Sequence, residues 1–110
     1  MISYEDFEKL LDEWGAWSRG GFPKYRSPLN QRIGYHPDIN DDLALRIDRG
    51  LCKVRKYISE DRTKAFELCY VSGWPVVEIA DKFRKDYRIV KGEIASVSAA
   101  IYCLFREDII

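Results

Sequence analysis

Lys82, Arg84, Lys85, Arg88 and Lys91 crowd into ten positions against one acid, Asp86, with Tyr87 among them. Ammonium and guanidinium groups at this density bind phosphate, and an arginine can also take both acceptors on a guanine edge. A phenol beside them can donate to a phosphate or stack on a base, and Tyr87 can equally pack against Phe83. Nothing in the chain is arranged for bond-breaking chemistry. His36 is the single histidine, with no nucleophile or metal ligand at a useful spacing. Asp41 and Asp42 read as a helix start rather than an acid/base pair, and no glycine-rich phosphate loop occurs. Cys52, Cys69 and Cys103 are far apart and form no C-x-x-C pair, so no zinc site is expected. Each falls on a helical apolar pattern and reads as a reduced core thiol. The expectation is a protein that is not an enzyme and carries no metal or cofactor.

Residues 73–104 read as the scaffold for that basic cluster, two helices joined by a tight corner in the pattern of a helix-turn-helix. Pro75 suits a first helical turn, where its missing N–H leaves no bond unmade. Val76, Ile79, Ala80 and Phe83 follow at helical spacing, then the polar break Arg84-Lys85-Asp86. Asp86 is placed to cap the next helix, whose apolar stripe is Val90, Ile94, Val97 and Ile101. Tyr87, Arg88 and Lys91 lie off that stripe in its first turns, where a recognition helix meets the major groove. Arg88 and Lys91 are the candidates for phosphate or base contact, and Arg84 and Lys85 for phosphate. Gly92 is a liability inside a helix unless something approaches closely, either DNA backbone or a packed helix. Ser96, one turn on, is a lesser candidate for a polar contact.

The rest of the chain completes a helical protein. Its 110 residues suit one domain able to bury a core without staples. With 46% hydrophobic and 33% charged residues it has the composition of a soluble globular protein. Its apolar runs are too short to span a bilayer and no signal-peptide pattern opens it, so a cytoplasmic protein is expected. Ser3 opens a first helix with Tyr4, Phe7, Leu10, Leu11, Trp14 and Trp17 on one face. Trp14 and Trp17 read as core. Gly15 between them either admits another backbone or marks a fraying end, and Gly20-Gly21 ends the helix. Asn40 with Asp41 and Asp42 starts a second helix, continued by Leu43, Ile47, Leu51, Val54 and Ile58. A third starts at Ser59 or Asp61 and carries Ala65, Phe66, Cys69 and Tyr70 to Gly73. The reading is an all-α bundle of about five helices in a single domain, 1–110. Its parts are an N-terminal helix (1–18), a basic loop (19–40), a central helix pair (41–72) and the helix-turn-helix (73–106).

Net charge is zero, from 18 basic and 18 acidic residues, so a basic face must be local. Residues 1–18 carry Glu5, Asp6, Glu8, Asp12 and Glu13 against Lys9. Residues 19–36 carry Arg19, Lys24, Arg26 and Arg32 with no acid. That second basic set alternates with Phe22, Tyr25 and Tyr35 in a loop long enough to be functional. It suits an arm for DNA, nascent RNA or an acidic polymerase surface, or else a tethered loop whose aromatics plug the core edge.

Gly73, Glu78-Ile79-Ala80, Val90 and Ile94 together resemble the region-4 helix-turn-helix of bacterial sigma factors. Trp14-Gly15-x-Trp17-x-Arg19, followed by Asp41-Asp42 and Ile47-Asp48 on a later helix, is similar to the antitermination proteins Q of lambdoid phages, in the branch without a zinc motif. That resemblance covers most of the chain. It implies a late-gene regulator that binds a DNA element near the late promoter, loads onto paused bacterial RNA polymerase and lets it read through terminators. Double-stranded DNA and the polymerase are then the expected partners, with a second copy on a repeated element. Two other functions fit the residues: a sigma-like activator acting at initiation, and a helical protein-interaction module that touches no DNA. Arg84 departs from the sigma pattern. A tight turn at that position favours glycine, which adopts positive φ freely.

Overall fold

Three of the five helices begin where a local side chain satisfies one of their free N–H groups. The computed structural model describes residues 2–20 and 39–107, and everything below concerns these. In α1, Tyr4–Ser18, the Ser3 hydroxyl accepts from the Asp6 N–H at 3.2 Å. In α2, Asp41–Val54, the Asn40 amide oxygen accepts from the Leu43 N–H at 2.8 Å. Ser59 precedes α3, Glu60–Tyr70. Pro75 precedes α4, Val76–Phe83, one position earlier than the expected first turn, and its carbonyl accepts from the Ile79 N–H at 3.2 Å. Asp86 precedes α5, Tyr87–Arg106, and its carboxylate accepts from the Arg88 N–H at 2.8 Å. These five helices are the only regular elements among the described residues, which contain no strand. None of the helices is long and apolar enough to cross a membrane.

The long α5 is the spine, packing against each of the other four helices. Its stripe Val90, Ile94, Val97 and Ile101 is buried as the spacing predicts, and Phe105 extends it. From α1, the Phe7 ring lies 5.2 Å from Tyr102 and 5.3 Å from Phe105. Trp14 stacks on Phe66 of α3 at 5.8 Å. Burying a large apolar side chain in this way is worth about 1.5–3 kcal/mol, so α1 is held mainly by its aromatic face. Ser98 is a buried polar residue at this centre, and its hydroxyl donates to the Ile94 carbonyl at 3.2 Å.

Polar bonds fix the helices around that core. The Trp14 indole N–H donates to Asp48 and the Trp17 indole N–H to Asp41, both at 2.8 Å. Gly15 is buried well inside α1, which rules out the fraying-end reading. A Cβ at this position would overlap the carbonyl oxygen of Tyr70 and lie 2.9 Å from its carbon. The glycine is there because the end of α3 crosses α1 backbone to backbone. Arg19 completes the same crossing, donating to the carbonyls of Val71 at 2.7 Å and Tyr70 at 3.2 Å.

Two expectations are corrected. The second helix stops at Val54, where the Tyr57 and Ile58 N–H groups both turn back to the Val54 carbonyl at 3.0 Å. Ile58 still packs on the core from the following turn, which explains why it keeps the helical spacing without being helical. Cys52 and Cys103 are exposed free thiols and not core thiols, whereas Cys69 is half-buried and packs against the core. Each exposed thiol lies just off its helix's buried stripe.

Candidate nucleic-acid interface

The basic cluster sits on the α4–corner–α5 unit. The corner is built by backbone bonds that need one left-handed residue. The Lys85 N–H reaches the Ala80 carbonyl at 3.0 Å and the Arg84 N–H reaches Asp81 at 3.2 Å, the two bonds of a Schellman turn. Arg84 takes the left-handed position itself, at φ 54° and ψ 47°. Among the described residues it is the only non-glycine with positive φ. The position where sigma-like turns favour glycine therefore does have the glycine conformation, and an arginine bears it.

Around the corner the side chains separate into free and engaged. Arg84, Arg88 and Lys91 are exposed and have no side-chain partner among the described residues. Tyr87 is 44% exposed beside them. Gly92 is exposed, and a Cβ there would meet nothing within 4 Å, so helix packing is not what keeps it a glycine. These five residues occupy the corner and the first two turns of α5, where the positive end of the helix dipole adds to the field of the cations.

Two expected contacts are already engaged within the protein. The Lys85 ammonium donates to both carboxylate oxygens of Glu93, at 3.0 and 3.2 Å. The Ser96 hydroxyl donates to the Glu93 carbonyl at 2.6 Å on its own helix and is half-buried. Lys82 lies over the Trp74 ring at 5.8 Å, which places Trp74 under the unit as a cation–π partner.

Arg19 leaves the second basic set. Its guanidinium caps the end of α3, so it belongs to the scaffold and not to a basic arm. Lys24, Arg26 and Arg32 lie outside the described residues. Among the described residues, no group of three or more His, Cys, Asp or Glu side chains is placed to hold a metal ion.

The residues that sequence reasoning passed over are Glu93, Val77 and Ile89. Val77 and Ile89 are each 57% exposed on the two helices of the unit. Ile89 is legible afterwards as an apolar residue one position out of phase with the buried stripe. Glu93 carries no such signal, because its partner lies across the corner. Comparison of the chain with models of known protein families, with curated proteins and with solved structures gave no match.

Proposed function

We propose that this chain is a DNA-binding transcription factor that uses α4 and α5 as a helix-turn-helix, and that it acts as a phage late-gene antiterminator of the Q type. The observation that carries the DNA-binding reading is the set Arg84, Arg88 and Lys91, three exposed cations around one rigid corner at the positive end of α5. The other face of the same helix is core, so packing fixes its orientation and the backbone that carries the cations is ordered before binding. Open space at Gly92 lets a phosphate backbone or base edge come close to the helix. The antiterminator part rests on the resemblance at Trp14-Gly15-x-Trp17-x-Arg19 and Asp41-Asp42, together with the sigma-like pattern from Gly73 onward.

Salt titration tests the first part. With three phosphates neutralised, duplex affinity falls with a log–log slope of about −2.7, a loss of about 40-fold between 50 and 200 mM salt. Arg88→Ala with Lys91→Ala should flatten that slope to about −0.9. Terminator read-through with purified bacterial polymerase tests the second part. Read-through at unchanged promoter output supports antitermination. Raised promoter output without read-through assigns the protein to initiation. Absence of duplex binding at 50 mM salt makes it an interaction module.

A further inference from the structure

Glu93 is the only acid on α5, and its side chain is 11% exposed. A carboxylate so far removed from water needs a charged or hydrogen-bonding partner. Lys85 supplies it, reaching back over the corner to donate to both oxygens while its own side chain stays 32% exposed. The lysine therefore stands in the basic corner with its charge answered. A DNA phosphate could take it only by leaving Glu93 buried without its cation, a cost that exposed Arg84, Arg88 and Lys91 do not carry.

We infer that Glu93 is a specificity-determining residue that holds Lys85 off the phosphates and so suppresses nonspecific duplex binding. The inference rests on the DNA-binding reading of α4 and α5. Nonspecific binding is made almost wholly of phosphate contacts, whereas specific binding adds base contacts. Withdrawing one cation therefore weakens binding to arbitrary sequence by a larger share than binding to the element, and the ratio between them rises.

The experiment is a salt titration, from 50 to 200 mM, of a labelled duplex of arbitrary sequence with the natural chain and three variants. Lys85→Ala is expected to leave the slope unchanged, because that lysine contributes no phosphate contact. Glu93→Gln frees the lysine and steepens the slope by about 0.9, so the loss over that salt range grows from about 40-fold to about 150-fold. Lys85→Ala in the Glu93→Gln background returns the slope to its natural value. The inference is overturned if Lys85→Ala alone flattens the slope by about 0.9, or if Glu93→Gln leaves it unchanged. Should Glu93→Gln fail to fold by circular dichroism, Lys85→Ala decides alone, since it tests the same expectation from the other partner of the pair. A natural chain that binds no duplex at 50 mM salt overturns the DNA-binding reading itself, whereas binding with the wrong variant slopes overturns only the role of Glu93.

Discussion

Arg84→Gly should make this protein more stable and, on the proposed DNA-binding reading, a poorer duplex binder at once. A residue with a Cβ in the left-handed region costs about 1–2 kcal/mol, because the Cβ crowds the following carbonyl. Arg84 sits there at φ 54°. Glycine removes that crowding but loses about 0.5–1 kcal/mol through its greater freedom in the unfolded chain. The turn itself is untouched, since the bonds to Ala80 and Asp81 are made by backbone N–H groups. The net gain is about 0.5–1 kcal/mol, which for a domain of this size is a rise of about 2–4 °C in Tm. The same change removes one exposed cation, so the slope of duplex affinity against salt should fall by about 0.9. Arg84→Ala is the control. It keeps the Cβ strained in the same conformation, so the slope falls without the rise in Tm. Thermal unfolding followed by circular dichroism reads the first effect and fluorescence anisotropy of a labelled duplex reads the second. If Arg84→Gly melts at or below the natural temperature, the strain argument is wrong. If it melts higher and binds DNA unchanged, the strained arginine is not retained for phosphate contact, and the usual link between backbone strain and function fails here.

Four further outcomes follow from the same structure. Gly15→Ala should destabilise by about 2–3 kcal/mol despite the helix propensity gained, because its Cβ overlaps the Tyr70 carbonyl. Gly92→Ala should instead stabilise by about 0.5–1 kcal/mol, with nothing near the new methyl, and weaken duplex binding. Comparing melts of the two variants tests both glycines together. Arg19→Ala should lower Tm by losing the bonds to Tyr70 and Val71, yet leave the salt slope of duplex binding where it was. Burial pushes the Tyr70 phenol up to about 12 from the ordinary 10.0, opposed by hydrogen bonding with Ser98 and aided by nearby Cys69, Asp12 and Glu8. The unfolded chain therefore loses this proton first. Stability is full below pH 10, falls as pH rises toward 12, and the decline should be shallower in Tyr70→Phe when Tm is followed across that range.

Features whose cause is local were legible in the sequence. Ser3, Asn40 and Asp86 start helices because their side chains bond to N–H groups two or three positions on. The stripe Val90, Ile94, Val97 and Ile101 is buried because helical spacing alone puts those residues on one face. Features set by a distant partner were not. Gly15 is explained by the carbonyl of Tyr70, and Arg19 by the same end of α3. A solvated basic residue and a helix-capping one look alike in a string of letters. The end of α2 was hidden for a different reason: Ile58 continues the apolar period from a turn that happens to face the same core. In the candidate interface, Arg84, Arg88 and Lys91 could be named from charge and spacing, whereas the pairing of Lys85 with Glu93 needs the corner to be folded first.

The part of the sequence that most resembles the Q proteins turns out to be structural. Trp14 and Trp17 are bonded through their indole N–H groups to Asp48 and Asp41, and Gly15 and Arg19 serve the crossing of α1 with α3. A tryptophan pair, a glycine, an arginine and two aspartates on a later helix therefore form one joint between α1, α2 and α3. Their co-occurrence follows from that joint without any appeal to function. It gives the motif a structural cause in this chain, and leaves the weight of the DNA-binding reading on the corner and first turns of α5. The two parts can be separated by experiment. Asp48→Ala strands a buried indole N–H and should cost about 1–3 kcal/mol in stability, while at temperatures well below its melt the salt slope of duplex binding stays that of the natural chain. If Asp48→Ala changed the slope in the folded protein, the joint would be part of the interface, and the motif would carry function as well as fold.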